Sequence, residues 1–367
     1  MIRPALVAGL VLSMIGLGAA HAVAQAPYKV SVTTREFVPP EPYEWRGDAK
    51  HTLRTTIWYP ADANAEEKPQ VLGPPDKPLF DGGRAATDAT IAPSPAKFPL
   101  IVLSHGTGGT GASLAWLGTA LARAGYVTAA VDHPGNNAID GYTVPGFTLW
   151  WERARDLSAV TNQLLADPTF ATRIDAERIG AAGFSLGGYT MIAIAGGITS
   201  VARFREFCAS PEADGACQAP PEFSDLRAKA KALADSDEAF RAGLANDGHS
   251  YRDSRVRAVF AMAPALGPAF VPESLDRIDI PVAIVAGAAD AIVPVGSSAR
   301  FYAAHIPRAE LTIFPGDVGH YVFLVDCTEA GRATLAGMCI DAPGVDRDAI
   351  HAETVRLAEA FFSRRLR

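Results

Sequence analysis

Positive charge is in short supply in this chain of 367 residues, where 33 lysines and arginines face 40 aspartates and glutamates for a formal net charge of −7. Phosphate binding needs a concentrated Lys/Arg field, and the basic cluster Arg364, Arg365 and Arg367 sits at the chain end, where cations complement a helix C-terminus. A nucleic-acid partner is therefore not expected. Cysteine is also sparse, at four residues, with no Cys-x-x-Cys pair and no common zinc spacing, so no metal site is expected. Internal repeats are missing, and beyond residue 26 no apolar run is long enough for a membrane span. What is present is core-forming material: 49% of residues are hydrophobic and 20% charged, the balance of a packed globular protein.

Residues 1–26, MIRPALVAGLVLSMIGLGAAHAVAQA, carry one early charge (Arg3), an apolar stretch over 5–20 and small residues spaced for signal peptidase. This reads as a cleaved signal peptide that sends residues 27–367 to the periplasm or outside the cell. In such a compartment the four cysteines form disulfides. Two local bridges, Cys208 with Cys217 and Cys327 with Cys339, are the simplest of three possible connectivities.

Strand-like alternation covers 29–37 and 51–59, and a Pro/Gly/Asp-rich stretch over 60–97 reads as a surface loop. From Phe98 onward, apolar strands (99–104, 126–131, 178–184, 255–263, 281–287 and 309–314) alternate with helices near 113–125, 149–165, 186–195, 297–305 and 346–364. Continuous apolar strands between amphipathic helices predict a mostly parallel sheet covered on both faces, an α/β fold. Residues 197–254 interrupt the alternation with a cysteine pair, Pro220-Pro221 and a helical run over 223–244. An insertion there is expected to act as a lid over the carboxyl edge of the sheet.

The strongest motif is Gly183-Phe184-Ser185-Leu186-Gly187, a GxSxG between a predicted strand and a predicted helix. That context marks a serine nucleophile on a strained turn, which needs a base, and the base needs an orienting carboxylate. The downstream histidines are His249, His305, His320 and His351, and His320 is the one in the loop after the last strand. Asp290 follows the strand 281–287 and is the expected acid, with Asp317 as runner-up. Oxyanion donors are expected at the N–H of Leu186, in the elbow, and of Thr107, in the loop Ser104-His105-Gly106-Thr107-Gly108-Gly109. A phosphate-binding reading of that loop lacks both the P-loop lysine and the GxGxxG pattern.

Taken together, LSHGTGG, GYVTAAVDHPGNN, GFSLGGY, GAADAIVP and the final GH resemble the α/β-hydrolases related to platelet-activating-factor acetylhydrolase and the predicted dienelactone hydrolases of bacteria, over residues 55–320. The resemblance implies an α/β-hydrolase fold and a triad of Ser185, Asp290 and His320 with oxyanion donors on Leu186 and Thr107. Authentic dienelactone hydrolases have a cysteine nucleophile where this chain has serine. The expected activity is hydrolysis of a small-molecule or lipid-like carboxylic ester, without cofactor. A serine peptidase with the same triad and an inactive binding module on the same scaffold are the competing readings. Candidate pocket residues are His105, Trp150 and Trp151, although aromatics near a helix start are more often core. His133, Asn136 and Asn137 contact either substrate or one another in a loop network.

Overall fold

The computed structural model describes residues 27–40 and 42–367. The expected signal peptide, residues 1–26, lies outside them. Twelve strands occur among the described residues. They are β1 (Lys29–Phe37), β2 (Leu53–Ala61), β3 (Lys68–Leu72), β4 (Phe80–Thr87), β5 (Phe98–Ser104), β6 (Val127–Val131), β7 (Asn136–Asn137), β8 (Gly141–Tyr142), β9 (Ile174–Phe184), β10 (Val256–Met262), β11 (Val282–Gly287) and β12 (Ala309–Phe314). Ten of them form one sheet in the order β12-β11-β10-β9-β5-β6-β2-β1-β4-β3, and β7 and β8 form a separate two-stranded ribbon.

From β12 to β6 every pairing is parallel. Every residue of β5, β6 and β11 is buried, which is why these strands read as unbroken apolar runs: both faces are covered. Helix α1 (Ala115–Arg123) covers one face together with α12 (Arg347–Arg365), through Leu117, Leu121, Phe361 and Phe362. The opposite face packs α3 (Glu152–Ala166) through Leu157, Val160 and Leu164, and α4 (Leu186–Ile194), whose residues are all buried, while α2 (Val144–Thr148) packs with the insertion.

Residues 60–97 are not a loop. They supply β3 and β4, with β4 parallel to β1 and antiparallel to β3. The sequence hides them because the edge strand β3 has no buried position and tolerates Pro69, while β4 beside it has few buried positions and carries Gly82 and Gly83. The insertion 197–254 folds as α5 (Val201–Ala209), α6 (Leu226–Ser236) and α7 (Glu238–Leu244). The helical run expected over 223–244 breaks at Asp237, whose side chain accepts a hydrogen bond from Phe240 N–H and starts α7. Short helices α8 (Pro272–Leu275), α9 (Ala299–His305), α10 (Glu329–Thr334) and α11 (Ala336–Cys339) complete the chain. Disulfides join Cys208 to Cys217 in the insertion and Cys327 to Cys339 near the C-terminus. Among the described residues no helix is long and apolar enough to cross a membrane.

Candidate active site

Ser185 is the single residue between β9 and α4, at φ 56° and ψ −116°. A non-glycine residue at positive φ is strained, and such a conformation persists only where its surroundings over-determine it. Here Ser185 N–H donates to Met262 O at 2.9 Å, and its carbonyl accepts from Tyr189 N–H at 3.0 Å and Ala265 N–H at 3.1 Å. Two of the motif's glycines exist for lack of room. A Cβ on Gly183 would lie 2.4 Å from Gly187 O, and one on Gly187 would lie 1.9 Å from Ser104 O.

Three loops at the carboxyl ends of the parallel strands converge on this turn, as in open α/β sheets generally. Asp290 follows β11 and His320 follows β12. His320 Nε2 is 2.9 Å from Ser185 Oγ, and its Nδ1 is 2.6 Å from Asp290 Oδ2. The other carboxylate oxygen of Asp290 accepts N–H bonds from Ile292 at 3.0 Å and Val293 at 2.7 Å, which fixes the carboxylate plane. The Phe184 ring packs 4.8 Å from the imidazole. All three side chains are buried, whereas Asp317 is exposed and His320 Nδ1 faces Asp290. His249 is exposed, and His351 stacks on Trp116 and bonds Val322 O.

The loop after β5 passes directly over the serine: a Cβ on Gly106 would lie 3.2 Å from Ser185 Cβ. Gly108 N–H donates to Asn136 Oδ1 at 2.8 Å and Gly109 N–H donates to Gly106 O at 3.3 Å. The N–H groups of Thr107 and Leu186 donate to no protein acceptor among the described residues, and both residues line the cavity in front of Ser185.

That cavity measures about 1590 Å³ and is walled mainly by apolar side chains. Residues of the insertion such as Phe204, Leu226, Phe240 and Leu244 line it, together with Leu72, Phe80 and Met338 from outside the insertion. The insertion is pinned to the segment that carries Asp290. Gly215 packs so closely that a Cβ there would lie 2.1 Å from Ala291 O, and Ser297 Oγ donates to Asp214 Oδ2 at 2.5 Å.

Residues 101–336 match the model of the alpha/beta hydrolase family. The chain belongs to that family. It is also similar to two cutinases of Thermobifida alba, est2 at 38% identity and est1 at 37%, each over 90 residues that make up 24% of this chain and 27% of the relative. The chain thus spans about a quarter of the length of these relatives. A ferulic acid esterase from Streptomyces cinnamoneus shares the fold, with a TM-score of 0.58 over 95% of this chain and 92% of that one at 21% identity.

Within this family member, the candidate pocket residues divide. Trp150 lines the cavity, with its indole N–H donating to Phe147 O at 2.8 Å. Trp151 does not: it is fully buried between Leu149 and Phe240, because the next position on the same turn points away from the cavity. His105 is also misplaced by the sequence reading. Its side chain is fully buried, its Nδ1–H donates to Gly106 O at 2.6 Å and its Nε2 accepts His133 N–H at 3.1 Å. Burial, followed by the charge of Arg153, pushes its pKa well down, so it stays neutral.

Sequence reasoning missed a second Ser–His–Asp chain beside the loop that follows β5. Ser104 Oγ is 2.8 Å from His133 Nε2, and His133 Nδ1 is 2.7 Å from Asp156 Oδ2. Arg46 clamps Asp156 with bonds of 2.8 and 2.7 Å, and the Tyr43 hydroxyl also donates to that carboxylate. Of the loop residues left open by the sequence, His133 and Asn137 belong to this network, whereas Asn136 bonds Gly108 N–H and also faces the cavity.

Proposed function

We propose that the chain is an exported carboxylic ester hydrolase that works through an acyl-serine intermediate. The observation that carries this reading is the hydrogen-bonded chain Asp290–His320–Ser185, which ends at the floor of an apolar cavity beside two unspent N–H donors. Ser185 Oγ attacks the ester carbonyl as His320 Nε2 takes its proton, and the oxyanion rests on Thr107 and Leu186 N–H. The same imidazole then protonates the departing alkoxide. Water adds to the acyl-enzyme, its proton passes to His320, and the acid leaves as Ser185 regains its hydrogen. Asp290 holds the imidazole tautomer and stabilises its cation.

The esterase names of the relatives support the ester bond as target. The cavity exceeds the usual range for small-ligand sites of roughly 300–1,000 Å³, which supports an ester with a bulky apolar acyl or alcohol group. The motifs LSHGTGG and GFSLGGY support placement near the platelet-activating-factor acetylhydrolase group. Two disulfides and the expected signal peptide support export.

Hydrolysis of p-nitrophenyl esters across an acyl-length series, beside the matching anilides, tests the reading. Ester turnover that disappears in Ser185→Ala is expected. Faster anilide turnover favours the peptidase reading, and no turnover of either favours an inactive scaffold.

A further inference from the structure

We propose that Ser104, His133 and Asp156, with Arg46 and Arg153, form a buried positioning relay that holds the oxyanion loop, and with it Thr107 N–H, in register with Ser185. The inference rests on the serine-hydrolase reading above and adds a set of residues that touch no substrate.

Hydrogen-bond polarity runs one way through the set. Arg46 can only donate, and it donates to both oxygens of Asp156, so the carboxylate is ionised and also accepts from the Tyr43 hydroxyl. Burial pushes the Asp156 pKa up, but Arg46 and His133 outweigh it and hold the carboxyl at about 2. His133 Nδ1–H then donates to Asp156, which leaves Nε2 as an acceptor for the Ser104 hydroxyl. Burial and the Arg153 charge lower His133 to about 3, so this tautomer is neutral and the proton order is fixed. Arg153 closes the relay. Its Nη2 reaches Ser104 Oγ at 3.4 Å and donates to His105 O, and its Nε donates to Thr190 Oγ1 at 3.3 Å on α4, the helix that starts at the nucleophile.

The loop is therefore gripped at three successive points: the His105 carbonyl by Arg153, the His105 ring by His133 N–H, and Gly108 N–H by Asn136. Thr107 lies between these points, with its N–H left for a ligand. Ser104, His133, Asp156 and Arg153 are all at most 1% exposed, so none of them can meet an ester. A hydrogen-bonded buried network rigidifies what it holds, and oxyanion stabilisation depends on donors that need no reorganisation during reaction.

Ser104→Ala removes one hydroxyl from this relay. With a p-nitrophenyl ester, kcat is expected to fall about tenfold to hundredfold, less than for loss of an oxyanion donor, with KM held within about twofold. The rate of phosphonylation by a fluorophosphonate is expected to fall in parallel, and Ser104→Thr, which keeps the hydroxyl, is expected to recover most of both. An unchanged kcat in Ser104→Ala overturns the proposal. So does a loss that tracks a lowered unfolding midpoint and is not recovered by threonine, since that marks a structural role only. If Ser104→Ala does not fold, Arg153→Lys, which keeps the charge and loses the fork, is judged by the same criteria. An inactive wild type refutes the hydrolase reading instead, so the two failures are separable.

Discussion

Two Ser–His–Asp chains lie back to back in this fold, and their lengths barely differ: 2.9 and 2.6 Å through Ser185, His320 and Asp290, against 2.8 and 2.7 Å through Ser104, His133 and Asp156. Hydrogen-bond geometry alone therefore does not mark a nucleophile. Ser185 occupies a strained turn at φ 56° and opens on the cavity, whereas Ser104 ends a regular strand and is fully buried. The charges around Ser104 also argue against a nucleophile there. Asp156 is neutralised by Arg46, and His133, lowered to about 3 by burial and Arg153, does not accept a proton at neutral pH. A serine whose histidine cannot become cationic has no general base. The sets share one wall, where the missing Cβ of Gly187 leaves room for Ser104 O and His105 O.

The same kind of substitution should break the two sets in different ways. Ser185→Ala is expected to lower kcat by about 10⁵-fold or more, against the far smaller loss for Ser104→Ala, as read by ester turnover. Asp290→Asn is expected to cost about 10⁴-fold in kcat through the wrong imidazole tautomer while leaving the thermal midpoint nearly unchanged. Asp156→Asn instead strands the buried Arg46 charge, for a destabilisation of about 3–5 kcal/mol, measured by urea unfolding.

Acid should separate the sets as well. Because the folded pKa of His133, about 3, lies below its ordinary 6.5, the unfolded chain binds that proton first. The stability it contributes is complete above about pH 6.5 and is lost as pH falls toward 3, by on the order of a few kcal/mol. Asp156, held at about 2 against an ordinary 3.8, adds a loss of the same sign at lower pH. Thermal midpoints across this range check the slope, and a flat profile would contradict it. The smallest effect expected is that of Cys208→Ser with Cys217→Ser, about 2–3 kcal/mol for so short a loop. Because that loop lines the cavity in front of Ser185, KM for long acyl esters is expected to rise with little change in kcat.

Different residues were legible for different reasons. The elbow announces itself because Gly183 and Gly187 are forced by contacts too close for a Cβ, a requirement that leaves its mark on residue type. Asp290 stands out by following β11, whose burial on both faces makes it a continuous apolar run, and His320 by its place in the loop after the last strand, β12. The second set left no such mark. Ser104 reads as the last residue of an apolar strand, and nothing local shows that Asp156 will meet His133 and Arg46, since those contacts span 23 and 110 residues. Trp150 and Trp151 are the same residue type in one turn before α3, and one lines the cavity while the other packs in the core, a difference their residue type does not carry. β4 was hidden because its partner β1 lies far back in the chain and it is buried at three of its eight positions, which spares it an apolar pattern.

The central claim is that one of these two serines is the nucleophile and the other a support. Labelling the folded wild-type protein with a fluorophosphonate and mapping the adduct by peptide mass spectrometry tests it most directly. The account predicts a single adduct on Ser185 that disappears in Ser185→Ala; an adduct on Ser104, or none on the folded wild type, would contradict it.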